Sequence, residues 1–303
     1  MHISTQGLVL REVNYKESDK LLTVLTRDYG KMTLKARGVR RSGSPLKASC
    51  QLLACGEFTI FEYRGMSTIN EAQTVELFPE LRTDLELLSL GTYFAQVAEV
   101  LSQEDDPNPA LLSLTLNALY ALGKLRKPQG LVKAVFELRA ACLAGYTPDL
   151  EGCRSCGNPE PDRFDLEGGC LECAHCRSGD GTFVAVTPGI LAAMRHVAAC
   201  PASRLFSFCL GEETLRAFGS LTERCLSNWN GDFLLWIFIS RCFQFVTLRR
   251  PTYGFVLSNV YRGRGSDLSV HASEKTDFRS GGSSGAGIWG GLAVPWGPFC
   301  VRL

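Results

Sequence analysis

The sequence has no long hydrophobic run, because its 303 residues nowhere contain the roughly 20 consecutive apolar residues that a bilayer-spanning helix needs. It also shows no secretion signal, since the opening MHISTQGLVLREV becomes charged at Arg11 before an apolar core can form. We therefore expect a cytoplasmic protein that makes no membrane contact.

Histidine is scarce, and a Walker-type glycine-rich phosphate loop is absent. The four histidines are scattered along the chain and suggest no catalytic triad: His2, His175, His196 and His271. Without the phosphate loop we expect no ATP hydrolysis. The sequence therefore does not predict an enzyme. The net charge of +1 does not indicate a type of partner, because a protein that is nearly neutral overall can still carry a local basic patch.

Cysteine, by contrast, is abundant, with 13 residues. Because the cytosol is reducing, we expect these cysteines to be free thiols or metal ligands rather than disulfides. Cys153-x-x-Cys156 precedes two overlapping C-x-x-C pairs, and paired knuckles of this kind place four thiolates around a tetrahedral zinc. Five cysteines compete for four places. The favoured ligands are Cys153, Cys156, Cys173 and Cys176, with Cys170 as the spare and His175 as a weaker substitute.

Four thiolates would close the coordination shell, so this pattern predicts a structural Zn²⁺ rather than a catalytic one. Two other interpretations remain open. The cysteines could be unrelated buried or surface residues, or one pair could be a redox dithiol. The second usually requires a βαβ setting, which the surrounding sequence lacks.

Hydrophobic periodicity divides the chain into an N-terminal β part and a helical part. Residues 1–79 alternate apolar and polar side chains in short runs separated by turns, which predicts a small barrel or sandwich. Apolar residues then recur at helical spacing from Glu80 to about Ala144, in about three helices. A Gly- and Cys-rich insertion occupies about 150–181, Thr187 is a candidate cap for a helix starting at Pro188, and a last helix follows from Glu212.

A basic stretch lies within the β part and is opposed only by Asp28. It reads as a strand running into a flexible loop, which could follow a phosphate backbone without a sequence-specific fit. The basic residues are Arg27, Lys31, Lys35, Arg37, Arg40, Arg41 and Lys47. The neighbouring aromatic residues Tyr15, Tyr29, Phe58, Phe61 and Tyr63 could stack on bases. Phe58 and Phe61 could instead pack in the protein core. The basic residues could instead lie on a solvated loop that binds no nucleic acid.

Taken in order, these segments resemble the RecO family of bacterial recombination mediators over residues 1 to about 224. The resemblance rests on Thr5-Gln-Gly-Leu-Val-Leu-Arg, Lys16-Glu-Ser-Asp-Lys-Leu and Tyr29-Gly-Lys-Met-Thr-Leu-Lys-Ala-Arg-Gly-Val-Arg-Arg. It continues through Cys153-x-x-Cys-Gly and Gly168-Gly-x-x-x-Cys-x-x-Cys. The Ala-Arg-Gly-Val-Arg-Arg segment and the cysteine motif are its most specific parts.

The resemblance implies an α+β multidomain protein with an N-terminal OB-fold barrel (1–79), a helical bundle domain (80–224) and an inserted four-cysteine zinc finger. Members of the family bind single- and double-stranded DNA and anneal complementary strands. With RecR they help to load RecA onto DNA coated by single-stranded-DNA-binding protein, whose C-terminal tail they dock. Lys35, Arg37, Arg40 and Arg41 match the family's basic segment, and no catalytic residue is implied.

The C-terminal part departs from the family, which usually ends in a helix reading roughly Gln-Leu-Glu-Arg-Gly-Phe-x-Thr-Leu-x-Phe-Tyr. Residues 225–303 show no persistent helical or strand periodicity. Ordinary codons for Leu226 to Cys242 can be chosen so that the same string, read from the third base, encodes Val-Gln-Leu-Glu-Arg-Gly-Phe-Ser-Thr-Leu-Asp-Phe-Tyr. The hypothesis is a single-nucleotide frameshift near Arg224 to Leu226, with a genuine lineage-specific extension as the alternative.

Two other functions fit the same features. A basic barrel groove does not separate RNA from DNA, so an RNA-binding OB protein with a zinc ribbon is the first alternative. The second is a zinc-stabilised adaptor whose main role is protein docking. Competition binding with matched DNA and RNA strands distinguishes the RNA-binding alternative from a DNA-binding protein. Charge reversal in the basic stretch distinguishes the docking adaptor, for which DNA binding would be unaffected.

Overall fold

The computed structural model describes residues 2–63, 65–176 and 181–229. Within these ranges the strands are β1 (His2–Tyr15), β2 (Asp19–Thr26), β3 (Lys31–Ala36), β4 (Cys55–Tyr63), β5 (Met66–Glu76), β6 (Asp149–Cys153), β7 (Arg163–Asp165), β8 (Cys170–Glu172) and β9 (Phe183–Ala185). The helices are α1 (Leu85–Leu101), α2 (Pro109–Gly123), α3 (Gln129–Leu143), α4 (Pro188–Ala199) and α5 (Glu212–Trp229).

The first five strands form a closed barrel in the order β1-β2-β3-β5-β4. All neighbouring strands are antiparallel except β3 and β5, which pair in parallel at Leu34 with Ser67 and at Lys35 with Thr68. A closed five-stranded barrel of this kind is OB-like. The β structure predicted for the N-terminal part is therefore confirmed, and it is a barrel rather than a sandwich.

Strand alternation separates the inside of the barrel from its outer surface. On β4, Phe58 and Ile60 are fully buried, whereas the intervening Thr59 is half-buried and Glu57 is exposed. This two-residue period places alternate side chains on opposite faces of the sheet. The inner side chains form a core within the barrel, whose buried members are Val9, Leu22, Val24, Leu34, Ala36, Val39, Leu46, Cys50, Ala54, Phe58, Ile60 and Ile69.

The helices surround a second core, and local caps fix where they start. Asp84 accepts hydrogen bonds from the backbone N–H groups of Glu86 and Leu87 at the start of α1. Thr187 accepts from the N–H of Ile190 at 3.4 Å, ahead of Pro188. The predicted cap and start of α4 are therefore confirmed. The cap satisfies a backbone donor that has no partner inside the helix.

The barrel joins the helices at the turn between β2 and β3. Gly30 has a φ of 67°, and a Cβ there would lie 2.5 Å from the carbonyl oxygen of Asp106, so this contact requires glycine. Beside it, the Lys31 ammonium donates to the carbonyl oxygen of Glu99 at 2.9 Å, while the Glu99 carboxylate pairs with Arg11 at 3.0 Å. Polar contacts thus fix the barrel against the end of α1.

A buried carboxylate connects three helices. Glu137 on α3 is fully buried and accepts from the hydroxyl groups of Tyr93 on α1 (2.6 Å) and Thr222 on α5 (3.1 Å). Lys133 pairs with the same carboxylate at 2.7 Å. Burial raises the pKa of Glu137, although Lys133 and Tyr93 oppose that rise. Each of these donors offsets part of the free-energy cost of burying the carboxylate, so the loss of one donor is destabilising.

No helix among residues 2–63, 65–176 and 181–229 is long and apolar enough to cross a bilayer. The helices predicted from Glu80 to about Ala144, from Pro188 and from Glu212 are confirmed as α1–α5. The predicted frameshift concerns residues 225–303, of which 230–303 lie outside the described residues.

We predict that Tyr93→Phe lowers the free energy of unfolding by about 1–3 kcal/mol, because it removes a donor from the buried Glu137 carboxylate. Urea denaturation followed by circular dichroism measures the change. The control is Tyr120→Phe on α2, a half-buried tyrosine whose hydroxyl has no hydrogen bond to the described residues. Equal losses in the two variants would contradict the assignment of Glu137 as the polar link between the helices.

Candidate metal centre and nucleic-acid interface

The cysteine-rich insertion folds as a small sheet in the order β6-β8-β7-β9. Cys153 ends β6, and Cys156 lies in the turn after it, which passes through Gly157 at a φ of 73°. Cys173 and Cys176 follow β8. Because β6 and β8 are parallel neighbours, the two C-x-x-C turns meet at one edge of the sheet.

The four predicted ligands come together in space. The sulfur atoms of Cys153, Cys156, Cys173 and Cys176 all lie within 4.8 Å of one another, and those of Cys156 and Cys173 are 3.8 Å apart. A tetrahedral zinc with bonds of about 2.3 Å requires sulfur atoms roughly 3.8 Å apart. The arrangement therefore fits a four-coordinate metal without rearrangement of the backbone.

Hydrogen bonds shift the pKa values of these cysteines in different directions. Burial raises the pKa of Cys153, but N–H donors of Cys156 and Cys173 outweigh it and lower the pKa to about 6. Asn158 donates to the Cys173 sulfur at 3.3 Å. Hydrogen bonding to Cys156, in contrast, raises the pKa of Cys176 to about 12. A bound cation would displace such protons, because metal ligands must be thiolates.

Cys170 and His175 lie outside this group. Cys170 begins β8 and is buried, whereas His175 is exposed on the turn between the last two cysteines of the group. Among the described residues, no other group of cysteine, histidine or carboxylate side chains approaches metal-binding geometry. The geometry thus favours the predicted ligand set over the alternatives that use Cys170 or His175.

Arg195 on α4 fixes the sheet of the cysteine insertion to the helices. Its guanidinium donates to the carbonyl oxygens of Leu150 (2.8 Å), Glu151 (3.2 Å) and Pro159 (2.7 Å). These carbonyls lie on both sides of the first cysteine turn. Sequence reasoning missed Arg195, because nothing in the local pattern distinguishes it from an exposed helix arginine.

Most residues of the predicted basic stretch are exposed cations. Among the described residues, none of the exposed members forms an ion pair with an acidic side chain. They are Arg27, Arg37, Arg40, Arg41 and Lys47. The guanidinium of Arg40 reaches the carbonyl oxygen of Lys16 at 3.4 Å, so this exposed lysine, which the prediction omitted, joins the same surface. We call Lys16, Arg37, Arg40 and Arg41 the basic patch.

The structure does not bring the whole predicted stretch together. Arg27 and Lys31 flank the turn at the far end of β2 from Lys16, and the eight residues of that strand separate its ends by roughly 20–25 Å. Lys31 also contacts Glu99 at the junction with α1. Lys35 is largely buried, pairs with Asp19 at 3.2 Å and lies 5.1 Å from the centre of the Tyr15 ring.

The segment between β3 and β4 is folded, which corrects the prediction of a flexible loop. Val39, Leu46 and Cys50 are buried and belong to the core of the barrel. In addition, Asp19 accepts from the backbone N–H of Gly38 at 2.9 Å, and this bond, the largest effect, lowers the pKa of Asp19. The arginines are therefore held on a defined surface rather than on a mobile chain.

Aromatic side chains lie beside the basic patch on the outer surface of β4. Phe58 is fully buried, so for this residue core packing is the correct interpretation. Phe61 is half-buried, and Tyr63 is 58% exposed, with nearly parallel rings whose centres are 6.4 Å apart. A groove of about 410 Å³, which we call the aromatic groove, is lined by Arg37, Phe61, Tyr63, Met66, Thr68 and Asn70.

These features define a class: an OB-like barrel with a basic outer surface, joined to a helical domain that carries a four-cysteine ribbon. Two family models match this architecture in order, "Recombination protein O N terminal" over residues 1–78 and "Recombination protein O C terminal" over 82–231. The chain belongs to the RecO family.

Individual relatives agree with this assignment. The DNA repair protein RecO of Acetivibrio thermocellus is 34% identical over 231 residues, which are 75% of this chain and 91% of that protein. The protein of the same name from Rubrobacter xylanophilus is 34% identical over 216 residues, covering 70% of this chain and 87% of its own. A third, from Exiguobacterium sibiricum, is 30% identical over 227 residues.

We predict that Cys156→Ser removes the bound metal, whereas Cys170→Ser retains about one metal ion per chain, because only the first alters the four-sulfur group. Mass spectrometric metal analysis of the purified protein measures the content. The two variants make the same chemical change within one small sheet. Loss of metal in Cys170→Ser with retention in Cys156→Ser would contradict the proposed ligand set.

Proposed function

We propose that this chain is a non-enzymatic DNA-binding mediator of repair and homologous recombination. It binds single- and double-stranded DNA, anneals complementary strands and helps to load recombinase onto single strands coated by single-stranded-DNA-binding protein. Membership of a family whose relatives are named DNA repair proteins supports this role. The protein acts in the bacterial cytoplasm, in association with the nucleoid.

The observation that carries the proposal is the basic patch on the barrel. Arg37, Arg40 and Arg41 are exposed, and no acidic side chain of the described residues neutralises them. An arginine fork matches the geometry of a phosphate and releases counterions when it binds one. Such contacts are sequence-independent, as expected for a protein that must act on any damaged DNA.

The same charges account for annealing. Two complementary strands repel each other through their phosphates. Arginine contacts neutralise phosphates of the bound strand, so it repels the incoming complementary strand less. The folded β3–β4 segment holds these cations in a fixed relative arrangement, so little side-chain and loop entropy is lost on binding. Annealing then requires no chemical step, which agrees with a non-enzymatic role.

We further propose that the metal is Zn²⁺ and that its role is structural. Four sulfur ligands leave no open position for a substrate or a water. The ion would join the turn after β6 to the turn after β8, while Arg195 fixes the first of these turns against α4. Zinc would thus stabilise the ribbon and its attachment to the helical domain.

The proposed protein partners follow from the family resemblance. They are RecR, with which the chain would act on RecA, and the C-terminal tail of single-stranded-DNA-binding protein, which would dock on the helical domain. In the helical part, α5 packs on α3 and α4, and the tail would dock on the outer face of these helices. Docking there would leave the basic patch on the barrel available to DNA.

We predict that reversing the charge at Arg37, Arg40 and Arg41 by substitution with Glu weakens binding to a mixed-sequence single strand by roughly 100-fold. It should also reduce the salt slope of binding by about 2, since each phosphate contact to a single strand contributes about 0.7 to that slope. Fluorescence anisotropy over a salt series measures both quantities, and strand-annealing rates should fall with the affinity.

The matched control reverses three exposed arginines of the helical part, Arg204, Arg216 and Arg224. It makes the same change in net charge, and we expect it to leave DNA affinity within about twofold of the native value. If the barrel variant bound and annealed DNA normally, the docking-adaptor alternative would replace this proposal. Tighter binding to a matched RNA strand in direct competition would favour the RNA-binding alternative.

We also propose that residues from about 225 onward are a frameshifted translation of the family's terminal helix. The family model matches only to residue 231, and the relative from Acetivibrio thermocellus aligns with 75% of the chain while 91% of its own length is covered. Both facts fit a chain whose C-terminal part no longer encodes the family's sequence.

Resequencing the gene tests this proposal, and a single inserted or deleted base near codons 224–226 is the expected result. A frame-corrected protein should resist urea better than the encoded chain, because a native terminal helix would cover apolar surface. An intact reading frame, together with tail peptides detected from the native organism by mass spectrometry, would contradict the frameshift.

A further inference from the structure

The outer surface of the barrel carries a row of rings whose arrangement bears on what kind of DNA is bound. His2 on β1 lies 4.9 Å from Phe61 on β4, and Phe61 lies 6.4 Å from Tyr63, measured between ring centres. The planes of Phe61 and Tyr63 differ by only 9°. Because the two are separated by one residue on a strand, their rings share one face of the sheet.

The other walls of the aromatic groove suit a nucleobase rather than a phosphate alone. Met66 is 49% exposed and lies opposite Tyr63 in the β4–β5 pairing, which extends the apolar floor. Thr68 and Asn70 provide polar atoms at the side of the groove, where base edges could be hydrogen-bonded. Arg37 is the cationic member of the lining, so a phosphate and a base can be held at adjacent positions.

We propose that the aromatic groove is a subsite for unpaired nucleobases of DNA and that it gives the protein a preference for single strands. This inference rests on the proposed DNA-binding function and assigns different contacts to the arginines and to the aromatic rings. Arg40 and Arg41 contact the phosphates of either form. Phe61 and Tyr63 stack only on bases whose faces are free, which a paired and stacked duplex does not present.

The division of roles has a consequence for annealing. A strand held in the groove loses its base-stacking contacts when those bases pair with the complementary strand. The duplex product then keeps only the phosphate contacts, so its affinity is lower than that of the single-stranded substrate. The protein would therefore release the duplex that it helps to form and bind another single strand.

Tyr63→Leu tests the inference, because it removes an exposed ring while retaining an apolar side chain. The probes are a 20-residue oligothymidine, an abasic oligonucleotide of equal length and a blunt mixed-sequence duplex. Loss of one base stack should weaken binding to oligothymidine about tenfold. Binding to the abasic strand and to the duplex should be unchanged, which also shows that the variant is folded.

The control is Tyr146→Leu, the same substitution at a tyrosine that is 43% exposed outside the barrel, and all three affinities should be unchanged. An equal loss of affinity for all three probes, or no loss for oligothymidine, would overturn the base subsite. In either case, native binding to DNA would leave the proposed function intact. Failure of the native protein to bind any of the three probes would overturn both proposals.

Discussion

Closure of the barrel is the constraint on which the candidate DNA-binding surface depends. Among the described strands, the short pairing between β3 and β5 is the one parallel pairing in the barrel, and it closes the sheet. It brings Arg37, just beyond the end of β3, into the same groove as Phe61 and Tyr63 on β4, with β5 between the two strands. Without this closure, Arg37 and the two rings would lie on separate parts of an open sheet.

The rest of the molecule holds that barrel in place and carries the group of four cysteines that could hold a metal. Gly30 and Lys31 fix one end of the barrel to the helices, while Glu137 links α1, α3 and α5 through buried hydrogen bonds. Arg195 then attaches the cysteine ribbon to α4. Each of these links depends on one charged side chain or one glycine in contact with a defined partner, so each is sensitive to a single substitution.

Local patterns in the sequence were sufficient to predict elements and motifs. Alternation on β4 and helical spacing after Glu80 identified the two structural parts, and the spacing of Cys153, Cys156, Cys173 and Cys176 identified residues that the fold brings together. The reason is that two-residue and 3.6-residue periods, and ligand spacing within a turn, are properties of short segments.

Features that depend on the tertiary fold could not be predicted in this way. The β3–β4 segment has no regular period, so its anchoring through Val39, Leu46 and Cys50 was missed and a flexible loop was expected. Lys31 resembled its basic neighbours in the sequence, but strand length places it at the junction with α1. Arg195 gave no signal because its three carbonyl partners are remote in the chain.

We propose that DNA lies along the outer surface of the barrel, across the basic patch and the aromatic groove. Ultraviolet cross-linking of a single-stranded oligonucleotide to the native protein, followed by peptide mass spectrometry, tests it most directly. We expect cross-linked peptides that contain Tyr63 or the segment from Arg37 to Arg41. Cross-links confined to the helical domain and the cysteine ribbon would contradict it.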